Sequence, residues 1–436
     1  MTPQLSSVEM TADRGRRMHA LMAELFPICR SITGDGVRET LRILQRQAPI
    51  GIVETPTGTP AFDWTVPKEW NIRAAHIRDS RGNTIVDFRN HSLHVVGYSV
   101  PVNRRMPLAE LRPRLFSDPS HPDWIPYRTS YYKPDWGFCL THRQLEAMED
   151  GEYEVVIDSS LEDGSLTYGE CYLPGEIEDE IFLSTHVCHP SMCNDNLSGA
   201  VIAAELAQEF AGRARRHSVR IVFVPGCIGA ITWLARNDAA AQRIRHGLVI
   251  TGSGDSGGFT YKRSRRGNAA IDRAAAHYLK HSGAGSRIDD FSPWGYDERQ
   301  YCSPGFDLPV GCFSRTPHGE YPEYHSSADN LEFVRPERLE ESFEAILGIL
   351  DIVDRDNRHV NLSPKCEPQL GRRGLFRTTG GSSLGPADLA RLWVLNFSDG
   401  EHSLLDIAER SDIPFATIAN AATELSRVDL LKGCLD

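Results

Sequence analysis

The chain has no apolar run approaching the roughly 18 residues that a membrane-spanning helix needs, so no membrane partner is expected. Its first residues, MTPQLSSVEMTADRGRR, hold no apolar signal core, and a cytoplasmic location is the expectation. The 10 cysteines form neither a CxxC pair nor a small disulfide framework. Cys29, Cys139, Cys302 and Cys434 lie far apart, as reduced structural thiols do. A surplus of positive charge is missing too: 47 Lys and Arg stand against 59 Asp and Glu, a formal net charge of -12. Nonspecific affinity for nucleic acid comes from cations, so a phosphate backbone is a poor partner. No internal repeat is visible. What is there is the composition of a globular protein, with 40% hydrophobic and 24% charged residues among 436. That length exceeds one compact core and suits two or three domains.

Periodicity divides the chain. Over residues 15–47 apolar positions recur at three and four spacing (Met18, Leu21, Met22, Leu25, then Leu41 and Leu44), which predicts helices on either side of the loop CRSITGDG. Residues 1–57 are assigned to a helical start of the main domain. Residues 58–135 carry short β-rich pieces such as AHIRDSRGNTIVDF and SLHVVGYSV, with prolines, tryptophans and turn signals, and read as a small inserted β domain. Residues 136–362 alternate strand and helix: EIFLST, then NLSGAVIAAELAQEFAGRA, VRIVFVP and GLVITG. That rhythm predicts a parallel α/β sheet whose strand carboxyl ends share one edge, where ligands bind. Residues 363–436 hold a glycine- and serine-rich stretch at 380–385 and three helical patterns, read as a linker and a small helical module.

The chemistry collects at the predicted edge. In FLSTHVCHPSMCNDNLSGA, His186 ends a buried strand and Asp195 precedes a helix capped within 196–198. Nitrogen and oxygen ligands brought together by such a loop suit zinc. The same two residues also suit capping of backbone groups and of the helix terminus. GLVITGSGDSGG sets Asp255 past another strand end. RTPHGEYPEYHSSADN sets His325 in a polar loop among Glu323, Asp329 and two tyrosines, one of them Tyr324. Two histidines and two aspartates at strand ends or in loops favour a metal site over four separate structural roles. The turn YKRSRRG could grip a substrate carboxylate or phosphate through Lys262, Arg263, Arg265 and Arg266, with Arg263, Arg266 and Tyr324 as the substrate contacts expected, or could be a solvated basic turn.

These words resemble a known family. STHVCHPSMCNDNLSGA is similar to the first metal motif of the zinc-dependent aminopeptidases, the family of bacterial leucyl aminopeptidases and glutamate carboxypeptidases. FDWTVPKEWNIR, GDSGGFTYKRSRRG, DERQYCSPGFDLPVG and PEYHSSADNLEF more closely resemble a bacterial aminopeptidase-like branch with a β-rich insertion and a C-terminal winged-helix-like domain. The resemblance implies a mostly parallel mixed sheet sandwiched by helices. It also implies His186 as a ligand of one metal, Asp195 as the bridging carboxylate, Asp255 as a further ligand and His325 as a ligand of a second metal.

The chain departs from that family at three positions. Cys188 stands where the family has an aspartate that orients the first imidazole, with His189 after it. Gly226 and Cys227 stand where it has a Glu-Glu pair, the first glutamate being the general base and the second a ligand. Glycine cannot take a proton, so base catalysis falls to Asp297, Glu298 or Glu323. Cys227 is either a soft ligand or a packing residue, and His189 and Cys193 are either extra ligands or loop residues. One zinc or two can be accommodated, and another divalent metal is an alternative. The expectation is a metal-dependent hydrolase of an amide or peptide bond in a small substrate, with a homo-oligomer allowed. The alternative is a silent metal- or ligand-binding protein of a biosynthetic pathway. From residue 386 onward the tail has four basic and nine acidic residues, which opposes duplex recognition and favours packing or oligomerisation.

Overall fold

The near-continuous apolar runs of the α/β segment become four adjacent parallel strands, as burial on both faces requires. Ile177–His186 lies between His217–Val224 and Ile244–Ile250, and the last of these pairs with Val310–Ser314, all parallel. In the computed structural model, which describes residues 7–283, 285–375 and 384–434, these strands are the centre of an eight-stranded sheet. The order is Gly51–Pro56, Ser165–Leu173, His217–Val224, Ile177–His186, Ile244–Ile250, Val310–Ser314, Phe259–Lys262, Ser286–Asp289. Gly51–Pro56, Ser165–Leu173 and Phe259–Lys262 add antiparallel pairings toward the edges, so the sheet is mixed.

Helix Ser198–Ala211 follows the strand that ends at His186, and Ala200, Val201, Ile202, Ala203, Leu206 and Phe210 are buried on it. Only glycine fits near its start. A Cβ on Gly199 would lie 2.5 Å from the Ile250 carbonyl oxygen and 2.6 Å from Asn196 Oδ1. This contact draws the helix entrance against the end of the neighbouring strand.

A second sheet is antiparallel, in the order Thr84–Asp87, Glu69–Arg78, Glu152–Glu162, Val102–Pro107. Alternate residues of Glu152–Glu162 are buried, the signature of a strand with one covered face. Ala75, Ile77, Val86, Met106, Phe138, Val155 and Ile157 form its own core cluster. The β-rich segment read from 58–135 thus has a strand supplied from 152–162.

By contact the chain divides into one unit of Met1–Gly267 with Arg287–Glu344 and another of Asn268–Ser286 with Ala345–Asp436. The second unit holds helices Pro386–Phe397, Leu404–Ser411 and Phe415–Ser426 and a three-stranded sheet of Asp399–Ser403, Arg358–Asn361 and Leu431–Gly433, which is a winged helix. Ser403 begins the middle helix as a cap: its hydroxyl accepts from Asp406 N at 3.2 Å, and the Asp406 carboxylate accepts from Ser403 N at 2.8 Å. Positions 380–383 of the glycine- and serine-rich stretch lie outside the described residues. No helix among the described residues is long and apolar enough to cross a membrane.

Candidate metal centre

The loop between His186 and the helix at Ser198 is held by side chains that satisfy its backbone. The Asp329 carboxylate accepts from the N–H groups of Cys193 at 3.1 Å, Asn194 at 2.6 Å and Asp195 at 2.9 Å. The Asn196 amide donates to Thr185 Oγ1 at 2.9 Å and to the Ile250 carbonyl at 3.2 Å. Its Oδ1 accepts from the N–H of Gly199 and of Gly252, each at 3.2 Å. Asn196 therefore ties two parallel strand ends to the loop, and Asp329 aims the loop's next side chain inward.

That side chain is Asp195, fully buried. Its Oδ1 is 2.8 Å from His186 Nε2, and its Oδ2 is 3.0 Å from His325 Nε2 and 3.8 Å from His189 Nε2. His186, His189 and Asp195 offer ligand atoms that all lie within 4.8 Å of one another. His325 takes φ 57°, a left-handed conformation costing roughly 1–3 kcal/mol in a non-glycine residue. The Tyr127 N–H holds it by donating to the His325 carbonyl at 2.8 Å.

These residues fit a cation. Asp195 Oδ2 and His325 Nε2 face each other in the buried interior, yet neither makes an aligned hydrogen bond, and buried polar atoms are rarely left so. Burial opposes the charge on Asp195, but the imidazoles of His189, His186 and His325 together hold its carboxyl well below the usual range. Burial pushes His189 down to about 3. An ionised carboxylate beside an imidazole that burial keeps neutral, His189, is the protonation state that metal ligands need. Aromatic rings close the surroundings: Tyr324 stacks on His325 at 3.9 Å, Tyr296 on His186 at 5.2 Å, and Tyr127 lies 5.2 Å from His189.

Other expected residues sit differently. Asp255 lies in a loop tie. Its carboxylate accepts from Thr316 Oγ1 at 2.6 Å, Gly257 N at 2.7 Å, Asn194 Nδ2 at 3.0 Å and Thr316 N at 3.2 Å, so both oxygens are occupied. Arg263 and Arg266 do not line the site's cavity. Arg263 donates to the Gly267 carbonyl at 2.7 Å within its own turn, and Arg266 pairs with Asp307 at 3.3 Å. The basic side chains lining the site's cavity are Lys262 and Arg287. Glu323 is half-buried and does not line that cavity; its carbonyl accepts from the Ser326 hydroxyl at 2.8 Å. Cys227 accepts from Arg299 at 3.2 Å, and burial pushes its thiol up to about 12, so it packs as a neutral group. Cys188 and Cys193 are buried, and burial raises both thiols.

Asp297 and Glu298 stay at the site. A Cβ on Gly226 would lie 3.3 Å from His186 Cβ and 3.4 and 3.5 Å from the two carboxylate oxygens of Asp297. The Asp297 carboxylate therefore stands against the place that a side chain at 226 would enter. It is buried, its Oδ1 has no partner, and burial pushes it up to about 6. Glu298 is buried and pairs with Lys262 Nζ at 2.7 Å. A cavity of about 610 Å³ opens from His325 along Tyr324, Tyr296, His318, Trp294, Lys262 and Glu298. Asp329 and Asn196 escaped the sequence reading as organisers of the site. An aspartate in SSADN and an asparagine before a helix carry no local sign of the distant backbone groups they bind.

Known proteins resemble the chain in sequence and fold. The family described as a domain of unknown function, DUF4910, matches residues 19–356, and a winged helix-turn-helix family matches residues 357–433. A Clostridium acetobutylicum protein, described as a candidate polysaccharide biosynthesis protein with an aminopeptidase-like domain, is 49% identical over 98% of both chains. The crystal structure of a candidate peptidase from Clostridium acetobutylicum superposes with TM-score 0.94 at 48% identity, covering 98% of both chains. A zinc aminopeptidase from Bacillus subtilis shares the fold, with TM-score 0.57 at 10% identity over 78% of this chain and 95% of that one.

Proposed function

The chain belongs to the DUF4910 family of aminopeptidase-like proteins, and from that footing we propose that it is a metal-dependent hydrolase of an amide bond in a small substrate. The observation that carries this reading is the convergence of three imidazoles on buried Asp195, whose Oδ2 has no hydrogen-bond partner. His186, Asp195 and His325 would hold the ion, with His189 at hand; zinc suits this nitrogen and oxygen set. When bound, such an ion supplies Lewis-acid polarisation of a carbonyl and acidifies water.

The remaining work belongs to the chain. Asp297 takes the part for which Gly226 has no side chain. Its carboxylate, pushed up to about 6, accepts a proton from the attacking water and returns it to the departing amine. Lys262 fixes Glu298 at the cavity wall, leaving Glu298 Oε2 without a hydrogen-bond partner and able to accept from a substrate N–H or O–H. Tyr296, Tyr324 and Tyr127 exclude water around the imidazoles. The description of the Clostridium relative supports a substrate connected with polysaccharide assembly.

The test combines elemental analysis with turnover of a panel of aminoacyl and N-acyl amides, with and without chelator. Metal copurification and chelator-sensitive release are expected. Gly226 favours one other reading, a silent binding protein; bound metal with no release from any amide would replace the hydrolase by it.

A further inference from the structure

The cavity beside the metal centre has a wall and a charge pattern that select among amides. Trp294, 70% exposed at the mouth, begins a strip of rings. His318 follows at 6.4 Å, then Tyr324 at 6.2 Å, and Tyr324 stacks on His325 at 3.9 Å. A branch leaves His318 for Tyr296 at 4.9 Å and reaches His186 at 5.2 Å. The strip therefore runs from solvent to two imidazoles of the centre. Flat aromatic faces hold ligands that present C–H surface on one side and polar groups at the rim.

The charges in the same cavity favour a neutral ligand over an anionic one. Lys262 is taken by Glu298 at 2.7 Å, and Arg287 by both oxygens of Glu320 at 2.9 and 3.0 Å. Among the described residues that line it, the Lys and Arg side chains both already hold carboxylates, and the nearby Arg299 guanidinium lies over the Trp294 ring at 5.6 Å. The spare capacity is for donors: Glu298 Oε2 is buried and unpartnered. A neutral, hydroxylated ring bearing an amide meets all three conditions.

Resting on the hydrolase reading above, we propose that the substrate is an N-acylated amino sugar, stacked on Trp294 and the rings behind it with its acyl group at the metal centre. Water's oxygen bonds to the acyl carbon and the carbon–nitrogen bond breaks. The proton taken by Asp297 passes to the leaving nitrogen, giving a carboxylic acid and a free amino sugar.

The probe is N,N′-diacetylchitobiose with the zinc-loaded full chain, binding followed by calorimetry and acetate release by NMR. Leucine amide is the peptide-like control. The disaccharide is expected to bind and release acetate, while leucine amide does neither. Trp294→Ala, which removes an exposed ring and leaves the fold in place, is expected to weaken sugar binding by about tenfold, and Trp294→Phe to restore most of it. Turnover of leucine amide without sugar binding would overturn the substrate class and leave the hydrolase standing. Trp294-dependent sugar binding without acetate release would keep the ligand class and remove the hydrolase. Absence of sugar binding, or binding indifferent to Trp294→Ala, would overturn the proposal outright.

Discussion

The carboxyl edge of the eight-stranded sheet buries His186, Asn194, Asp195, Asn196, Asp297, Glu298 and Asp329, whereas the helices of the winged-helix unit bury Leu404, Leu405, Ile407, Ile418, Ala421, Ala422 and Leu425. Taking an ionised group out of water costs several kcal/mol even after relaxation, and apolar burial is favourable by about 25 cal/mol per Å². A chain that keeps carboxylates and imidazoles together in its interior does so where they hold something or react with something. Helices that bury leucine, isoleucine, valine, alanine and phenylalanine are building a module, and the few polar groups this unit buries, such as His277, Asp354 and His359, are scattered through it. The contrast is what the proposed chemistry at the first region and packing in the second would produce.

The sharpest way to break this contrast is Asp195→Ala. The carboxylate is the one group that faces all three imidazoles, so its loss should abolish metal binding. Removing a residue that merely orients a ligand costs about 10–100-fold in affinity, and loss of the ligand itself should exceed that. Elemental analysis after dialysis against a weak chelator measures it. Metal retained at full stoichiometry would show that the buried charges serve the fold alone.

Asp297→Asn comes next, with an expected fall in kcat of about 10²–10⁴ and unchanged metal content. The ordinary Asp value is 3.8 and burial pushes Asp297 up to about 6, so the ionised, proton-accepting form prevails above about 6. Activity should therefore be present above that value and decline as pH falls through it. In the variant this acid limb should disappear from the pH profile of kcat. An unaltered limb would assign the proton transfer to another group.

Both variants bear on what a reader of the sequence can reach. The parallel sheet is legible because strands buried on both faces are written as uninterrupted apolar runs, such as IFLST before His186 and VRIVFV before Gly226. The meeting of His186 and Asp195 is legible because one short loop joins them. Asp255 is ambiguous, since an aspartate past a strand end reads alike as a ligand and as an acceptor for Gly257 and Thr316. The approach of Asp297 to Gly226 is illegible, because two loops distant in the chain meet only after the sheet has formed. Lys262 is legible as one cation of a basic turn, but its pairing with Glu298, like that of the arginines with Gly267 and Asp307, is tertiary or turn-dependent.

Asn196→Ala sharpens the contrast at a smaller scale. It leaves every candidate ligand in place but removes the amide that joins Thr185, Ile250, Gly199 and Gly252. The expected result is a loss of about 10–100-fold in metal affinity, read by competition with a chromophoric chelator. No change would mean that Asp329 alone orients the loop.

The smallest expected effect is none at all, and it concerns the winged helix. Helix Phe415–Ser426 turns Phe415, Ile418, Ala419, Ala421, Ala422 and Leu425 inward, which leaves Asn420 and Thr423 on its open side with Arg427 just beyond its end. Glu424 on the same helix holds Arg391 at 2.7 Å, and a neutralised arginine is a poor phosphate contact. Asparagine can read an adenine edge, but base readout discriminates only after cations have brought the duplex close. With nine acidic residues against four basic from residue 386 onward, that first step is repulsive. In a filter-binding titration of the full chain against random duplex DNA at physiological salt, affinity is expected to be weaker than about 10⁻⁴ M, the soft end of nonspecific binding. Tight binding that collapses with added salt would make this helix a reader of nucleic acid, and apolar burial would no longer distinguish a packing module from a working one.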